Sequence, residues 1–316
     1  MEAVPAVISH LREQMSKAIV GQTEVLDQCV LALLCRGHAL LEGVPGIAKT
    51  LTVKALAHVL QLRFQRVQAT SDLMPADILG TNVLNLATSA FAFHAGPVFT
   101  DLLLVDEVNR MPPRTQAALL ECMEEQQVTL DGACHPLSSF FTVFATQNPI
   151  EFEGTYPLPE AELDRFLLKI NVAYPSAAEE GQILSRFQEA FDSRNLAALD
   201  FQPLDPALLA RARDEVRTAV RVEPGLFDYI VRIVRATRES LALSLGGSPR
   251  AAVFLMQAAK ATAAMDARDY IIPDDVKSAA LPVLRHRLVL KPEAELEGLT
   301  ADQILQDLLR TIEVPQ

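Results

Sequence analysis

Tryptophan is missing from the 316-residue chain, so no indole can report on ligand binding. Cysteine is scarce: Cys29, Cys35, Cys122 and Cys134 show no C-x-x-C spacing, and the six histidines form no ligand pair at helical spacing. A Cys/His metal site is thereby disfavoured, and the thiols are expected to be reduced and mostly buried. No apolar run reaches the roughly 18 residues needed to cross a bilayer. The start, Met1-Glu2-Ala3-Val4-Pro5, has neither a basic n-region nor a secretory h-region, so a cytoplasmic location is the expectation. Positive charge is also short. With 28 basic against 40 acidic residues, the formal charge of −12 argues against a general duplex-DNA or anionic-membrane surface, while leaving a local basic pore open. Half the residues are hydrophobic, ample for sizeable cores, and the length suggests two domains.

Against these absences stands Gly43-Val44-Pro45-Gly46-Ile47-Ala48-Lys49-Thr50. It is one substitution away from the phosphate-loop pattern of G-x-x-x-x-G-K followed by Ser or Thr, with Ala48 at the last glycine. Gly43 and Gly46 free the turn. Ala48 is expected to strain little, on the premise that it has helical dihedrals. The apolar run His38 to Glu42 reads as a strand and Leu51 to Ala57 as a helix, so the loop joins strand to helix. Backbone N–H groups and the helix N-terminus attract phosphate. Lys49 can reach the β- and γ-phosphates, and the Thr50 hydroxyl can sit on Mg²⁺.

A second feature, an acidic strand end, follows downstream. In Leu102-Leu103-Leu104-Val105-Asp106-Glu107, the four apolar residues can be buried on both faces while the two carboxylates emerge at the end. Asp106 would hold Mg²⁺ through water, and Glu107 would orient the attacking water during in-line phosphoryl transfer. Loop and acidic strand together read as an ATPase.

Alternation of strand and helix predicts a parallel α/β sheet. Its other strands are Phe64 to Gln68, Phe140 to Thr146 and Phe166 to Val172. After Tyr174 to Ala177 the pattern becomes helical, over Leu226 to Leu243, Pro249 to Ala267 and Pro273 to Leu288. This predicts an α/β domain over 1–175 and a small all-helical domain over 176–316. Ligands on such sheets bind at the carboxyl ends of strands, where Gly43, Asp106 and Asn148 fall.

Three further residues invite two readings each. Asn148 could sense γ-phosphate, or simply form a turn before Pro149. Arg165 could pair locally with Asp164 or Glu162, or reach the nucleotide of a neighbouring subunit. Arg250 falls in the first turn of a helix capped by Ser248 and opened by Pro249. A cation there is unfavourable, which hints at an anionic partner, though an exposed arginine is the plainer reading. Asp131-Gly132 signals a hairpin, and Gly80 to Pro97 interrupts the expected helix between the second and third strands. Both are plain connections or substrate-facing tongues.

Taken together the chain resembles an AAA+ ATPase, and more narrowly the MoxR family, from about Ile19 to Leu290. The resemblance rests on GVPGIAKT, on Asp72 to Gly80, on Val105 to Arg110 and on Glu153 to Phe166. It implies a P-loop module with a five-stranded parallel sheet flanked by helices and a helical lid. It further implies a hexameric ring with Mg-ATP between subunits, Asn148 as first sensor, Arg165 as the arginine finger and Arg250 as second sensor. Val20, Gly21 and Gln22 are placed near adenine, beside Val44, Pro45, Ile47 and Leu51 of the loop region. Such ATPases act as chaperones with a separate von Willebrand factor A-domain protein to mature, activate or insert metal into client complexes. Rival readings are a motor on DNA and a nucleotide-gated scaffold with little hydrolysis.

Overall fold

The structure is a computed structural model and describes residues 1–86, 89–149, 154–189, 192 and 195–315. Two helices, α1 (Ala3–Met15) and α2 (Thr23–Leu34), precede the first strand β1 (Ala39–Glu42). The phosphate loop leads into α3 (Lys49–Val59), followed by β2 (Phe64–Gln68), α4 (Pro75–Leu79) and the hairpin β3 (Gly80–Asn85) and β4 (Ala90–Ala95). Next come β5 (Leu102–Asp106), α5 (Pro113–Glu125), a second hairpin β6 (Gln127–Leu130) and β7 (Ala133–Pro136), β8 (Thr142–Gln147), α6 (Glu160–Leu163) and β9 (Leu168–Asn171).

Strands β2, β5, β8, β1 and β9 form one parallel sheet in that order. Their residues alternate between two cores. Ala39, Leu41, Leu102, Leu104 and Phe144 point into one, lined by α1, α2 and α3. Leu40, Leu103, Val105, Val143 and Ala145 point into the other, with α5. Because both faces are covered, the central strands must be apolar throughout, which is why they read as unbroken hydrophobic runs. The expected strands at Phe140 and Phe166 begin two residues later, since Phe141 and Phe166 close turns onto Ser138 and Leu163.

The remainder is mainly helical: α7 (Ala177–Gln188), α8 (Pro206–Thr218), α9 (Pro224–Glu239), α10 (Pro249–Met265), α11 (Pro273–Leu284), α12 (Pro292–Leu296) and α13 (Ala301–Thr311). All three predicted helices end earlier than expected, α10 at Met265 with Ala267 at φ 59°. Ser240 turns extended after α9, and α11, with Pro282 inside it, gives way at Leu284 to a 3-10 turn over Arg285–Arg287. Just beyond the early ends of α9 and α11 the chain pairs as a short antiparallel ladder, β10 (Leu243–Leu245) with β11 (Val289–Leu290), so the second part is not wholly helical. Among the described residues no helix is long and apolar enough to cross a membrane. Cys29 and Cys122 are buried, Cys35 is partly buried and Cys134 is exposed.

The helical part is bolted to the sheet by buried polar bonds. Arg213 of α8 donates to the carbonyls of Leu33 (2.7 Å) and Ser139 (3.0 Å) and stacks over Phe140. Glu215, two residues further along α8, accepts the N–H groups of Ala3 and Val4 at 3.0 and 3.2 Å, satisfying orphan donors at the start of α1. Burial raises the Glu215 pKa, but those N–H groups outweigh it and hold the carboxyl below its ordinary range.

His38, ahead of β1, is buried and neutral. Its Nδ1 accepts the Val143 N–H (2.9 Å), which leaves Nε2–H to donate to the Met123 carbonyl (3.1 Å). Burial lowers its pKa from 6.5 to about 4. The unfolded chain therefore takes up the proton near pH 6.5 while the fold resists until about 4, so stability is lost as pH falls through that window. The expected loss is about 3 kcal/mol. Urea unfolding at pH 7 and pH 4.5 measures it, and in His38→Gln the difference between the two pH values shrinks.

Candidate nucleotide site

The loop after β1 is shaped by close approach. A Cβ on Gly43 would lie 2.6 Å from the Val172 carbonyl oxygen, and Gly46 has φ +85°. Ala48 departs from the sequence reading. It sits at φ 63°, ψ 16°, in the left-handed region where a Cβ crowds the carbonyl, so the premise of helical dihedrals fails and the position is strained. Lys49 folds back to donate to the Gly43 carbonyl. Burial lowers its pKa, opposed by the charges of Asp106, Glu107 and Glu42.

Asp106 is buried at the end of β5, where three side chains meet it. The Thr50 hydroxyl lies 3.3 and 3.4 Å from its two oxygens, Thr146 of β8 donates at 3.2 Å, and Arg66 of β2 pairs through Nε at 2.6 Å. Glu107 takes up φ 57°, ψ 50°, an arrangement of the kind that concentrates at functional sites. Its N–H donates to Thr146 Oγ1 (2.9 Å), its carboxylate accepts from Gln68 Nε2 (3.1 Å), and Arg110 Nε forms a charge pair with it at 3.0 Å. Asn148, buried just past β8, faces the same cleft.

Two adjoining cavities share Pro45, Gly46, Ala48, Leu51 and Ile183. The larger, 1140 Å³, is lined by Lys49, Thr50, Lys54, Arg66, Gln68, Asp106, Glu107, Thr146 and Asn148. The smaller, 340 Å³, is walled by Val20, Ile47, Leu51 and Ile183, with Gln22 at its side. Gln22 also donates to the Ile47 carbonyl at 3.1 Å, tying the turn before α2 to the loop. Gly21 lies in that turn at φ +65° and faces a separate, small cavity beside Arg12 and Thr52. A cleft that sets Lys49, Lys54 and Arg66 beside Asp106 and Glu107, joined to an apolar slot, fits a nucleoside triphosphate with its metal ion, phosphates on the loop and base in the slot. For Mg²⁺ the donors are right in kind, since Thr50 and Asp106 offer oxygen only. Among the described residues no group of three His, Cys, Asp or Glu side chains could hold a metal ion.

Arg165 and Arg250 line neither cavity. Both reach Glu124 of α5: Arg165 Nε lies 3.2 Å from Oε2, and Arg250 Nη2 bonds Oε1. Ser248 caps α10 through the Ala251 N–H, as the sequence indicates. Glu153 of the last resemblance motif lies outside the described residues. Sequence reasoning missed Arg66, Gln68, Thr146, Lys54 and Glu124. For the first two a signal existed: residues i and i+2 of one strand share a face, and a cation and an amide there flank the acidic strand.

A family described as "ATPase family associated with various cellular activities (AAA)" matches residues 38–168, and the AAA lid domain matches residues 235–308. The uncharacterized protein YeaC of Bacillus subtilis (strain 168) is 43% identical over 303 residues, covering 96% of this chain and 93% of that one. Chaperone MoxR1 of Mycobacterium tuberculosis is 42% identical over 312 residues, covering 96% and 81%. The crystal structure of a candidate ATPase from Cytophaga hutchinsonii superposes with a TM-score of 0.88 at 38% identity, covering 100% of this chain and 98% of that one. The fold, the phosphate loop and these likenesses define an AAA+ ATPase, an enzyme that hydrolyses ATP. Within that class the chain belongs to the MoxR family.

The strained alanine gives a direct test. Ala48→Gly relieves a left-handed cost of about 1–2 kcal/mol less the extra chain entropy of glycine, so unfolding free energy is expected to rise by roughly 1 kcal/mol. Chemical denaturation of the two proteins reads this, and a fall of similar size would place Ala48 in right-handed backbone.

Proposed function

We propose that the chain is a chaperone-like Mg-ATPase that works as a homo-oligomeric ring, a hexamer, with each hydrolytic site completed by a neighbouring copy. The observation that carries this reading is the position of Arg165 and Arg250, which gather on Glu124 and stay out of their own chain's phosphate cleft. Two cations so placed are available to a second copy.

In this reading the loop N–H groups, Lys49 and the helix α3 N-terminus hold the phosphates, with Val20 and Gln22 toward the base and Gly21, which faces the neighbouring small cavity, shaping the turn between them. Thr50 and Asp106 would hold Mg²⁺, which would supply charge neutralisation on the phosphates. Glu107 orients the attacking water and draws off its proton, while Asn148 and Gln68 set where that water and carboxylate stand. Arg165 and Arg250 of the neighbour offset charge on the transferred group. Division at residue 175 between ATPase body and lid puts Arg165 on one part and Arg250 on the other.

The client is read as a protein complex, matured, activated or metallated together with a separate von Willebrand factor A-domain protein. Support for a protein client over DNA comes from the β3–β4 hairpin. Phe91 and Leu86 are 72% and 84% exposed on it, and residues 80–95 contain no lysine or arginine. Such a surface meets apolar groups, not phosphate. A cytoplasmic site of action fits this reading.

ATP turnover per protomer, followed against protein concentration, tests assembly and chemistry together. Specific activity is expected to rise with concentration, and Lys49→Ala and Arg165→Ala each to lose it by roughly a hundredfold or more. Flat activity with a normal Arg165→Ala would show that each protomer hydrolyses alone. In Glu107→Gln, binding of labelled ATP is expected to persist while turnover falls by about two orders of magnitude or more. Near-normal turnover would remove Glu107 from its role.

A further inference from the structure

Glu124 stands on the last turn of α5, where no basic residue is present. A carboxylate at the negative pole of a helix is electrostatically misplaced, and so is Arg250 in the first turn of α10. Each offsets the other, since Glu124 Oε1 accepts from Arg250 Nη2 across a separation of 126 residues. Its second oxygen meets Arg165. One carboxylate thus bridges two guanidinium groups, one from the sheet body and one from the lid, and its charge offsets their mutual repulsion.

The backbone beside Arg165 is fixed by a parallel arrangement. Asp164 Oδ1 receives Arg287 Nε at 2.7 Å, and its Oδ2 receives the Ser248 hydroxyl at 3.0 Å. Arg287 is buried and also donates to the carbonyls of Asp164 (3.0 Å) and Phe166 (2.5 Å). The N-cap of α10 and the turn carrying Arg165 are therefore locked together, and Glu124 bridges the two side chains that leave this locked base. Both arginines are partly exposed, at 29% and 40% of their side chains, so a docking anion can reach them.

We propose that Glu124 is a positioning residue that holds Arg165 and Arg250 as one two-armed unit, aimed at the terminal phosphate of the nucleotide bound by a neighbouring copy. The inference rests on the shared-site reading above and assigns that site a residue that touches no nucleotide. It predicts a lesion that acts on the neighbour and leaves the chain's own nucleotide binding intact.

Mixing variants tests it. Alone, Glu124→Ala is expected to lose turnover at saturating ATP by roughly ten- to a hundredfold, as misplaced catalytic groups do, while its affinity for fluorescently labelled ATP stays within about twofold of the parent. Lys49→Ala protomers cannot hold ATP but carry an intact Glu124, Arg165 and Arg250. Mixed with Glu124→Ala protomers they are expected to restore activity severalfold above the sum of the separate proteins, as they also do with Arg165→Ala. A lesion that merely loosened α5 would not be complemented in this way. Glu124→Gln, which keeps the shape and one acceptor, serves the same mixing test if Glu124→Ala does not fold. If the Arg165→Ala mixture recovers and the Glu124 mixture does not, or if Glu124→Ala alone matches the parent, the positioning role is wrong. If neither mixture recovers, the shared site fails and the inference falls with it.

Discussion

A strand buried on both faces can carry polar chemistry only where it emerges, and this constraint arranges the whole site. Strands β5, β8 and β1 lie side by side at the centre of the sheet, and their interior residues are committed to two hydrophobic cores. Because the strands are parallel, their carboxyl ends share one edge. Gly43, Asp106 and Asn148 are brought together by register, not by sequence proximity: Glu42 pairs with Gln147, and Val105 with Ala145. The phosphate loop needs an acidic strand as neighbour-but-one, and the order of the sheet supplies it.

Concentrating charge at that edge creates a second problem, which polar contacts from adjoining strands resolve. Asp106 is buried, and a buried carboxylate without partners is costly. Thr50, Thr146 and Arg66 give it three, and Gln68 and Arg110 occupy the carboxylate of Glu107. Thr146 does double duty, accepting the Glu107 N–H while donating to Asp106, which fixes the two acidic groups relative to each other. Burial depresses the Lys49 pKa but the same carboxylates oppose it, so the cation and the anions of the cleft support one another.

What could be read from sequence follows from how locally each feature is encoded. The five strands, the loop, the Ser248 cap and both hairpins are specified by neighbours within a few residues, through periodicity and turn chemistry. Ala48 was misread because its residue type does not reveal its dihedrals; the tight passage from Gly46 to Lys49 imposes them. Arg66 and Gln68 carried a faint signal on β2. Glu124 carried none: its meaning comes from Arg165 and Arg250, which only the tertiary fold delivers. The ladder between β10 and β11 was hidden in the same way, because two such short strands, far apart in the chain, are paired only by the tertiary fold.

The manner in which the lid is attached limits how nucleotide can move it. Swinging it away from the sheet would strip Arg287 of its bonds to Asp164 and Phe166, pull Arg213 from Leu33 and open a core that runs unbroken from α1 through α8 to α10. Leaving a buried arginine unpaired costs several kcal/mol on its own, about 3–5. Helix α7 is held quite differently. It has no buried residue, yet Ile183 and Phe187 border the cleft that Lys49 and Asp106 line, and its N-terminus is secured by the Ser176–Glu179 capping box. An element with little buried surface shifts at low cost, so α7 is the part of this chain whose position the occupancy of the site can most readily change, while Arg165 and Arg250 stay fixed in the rigid remainder.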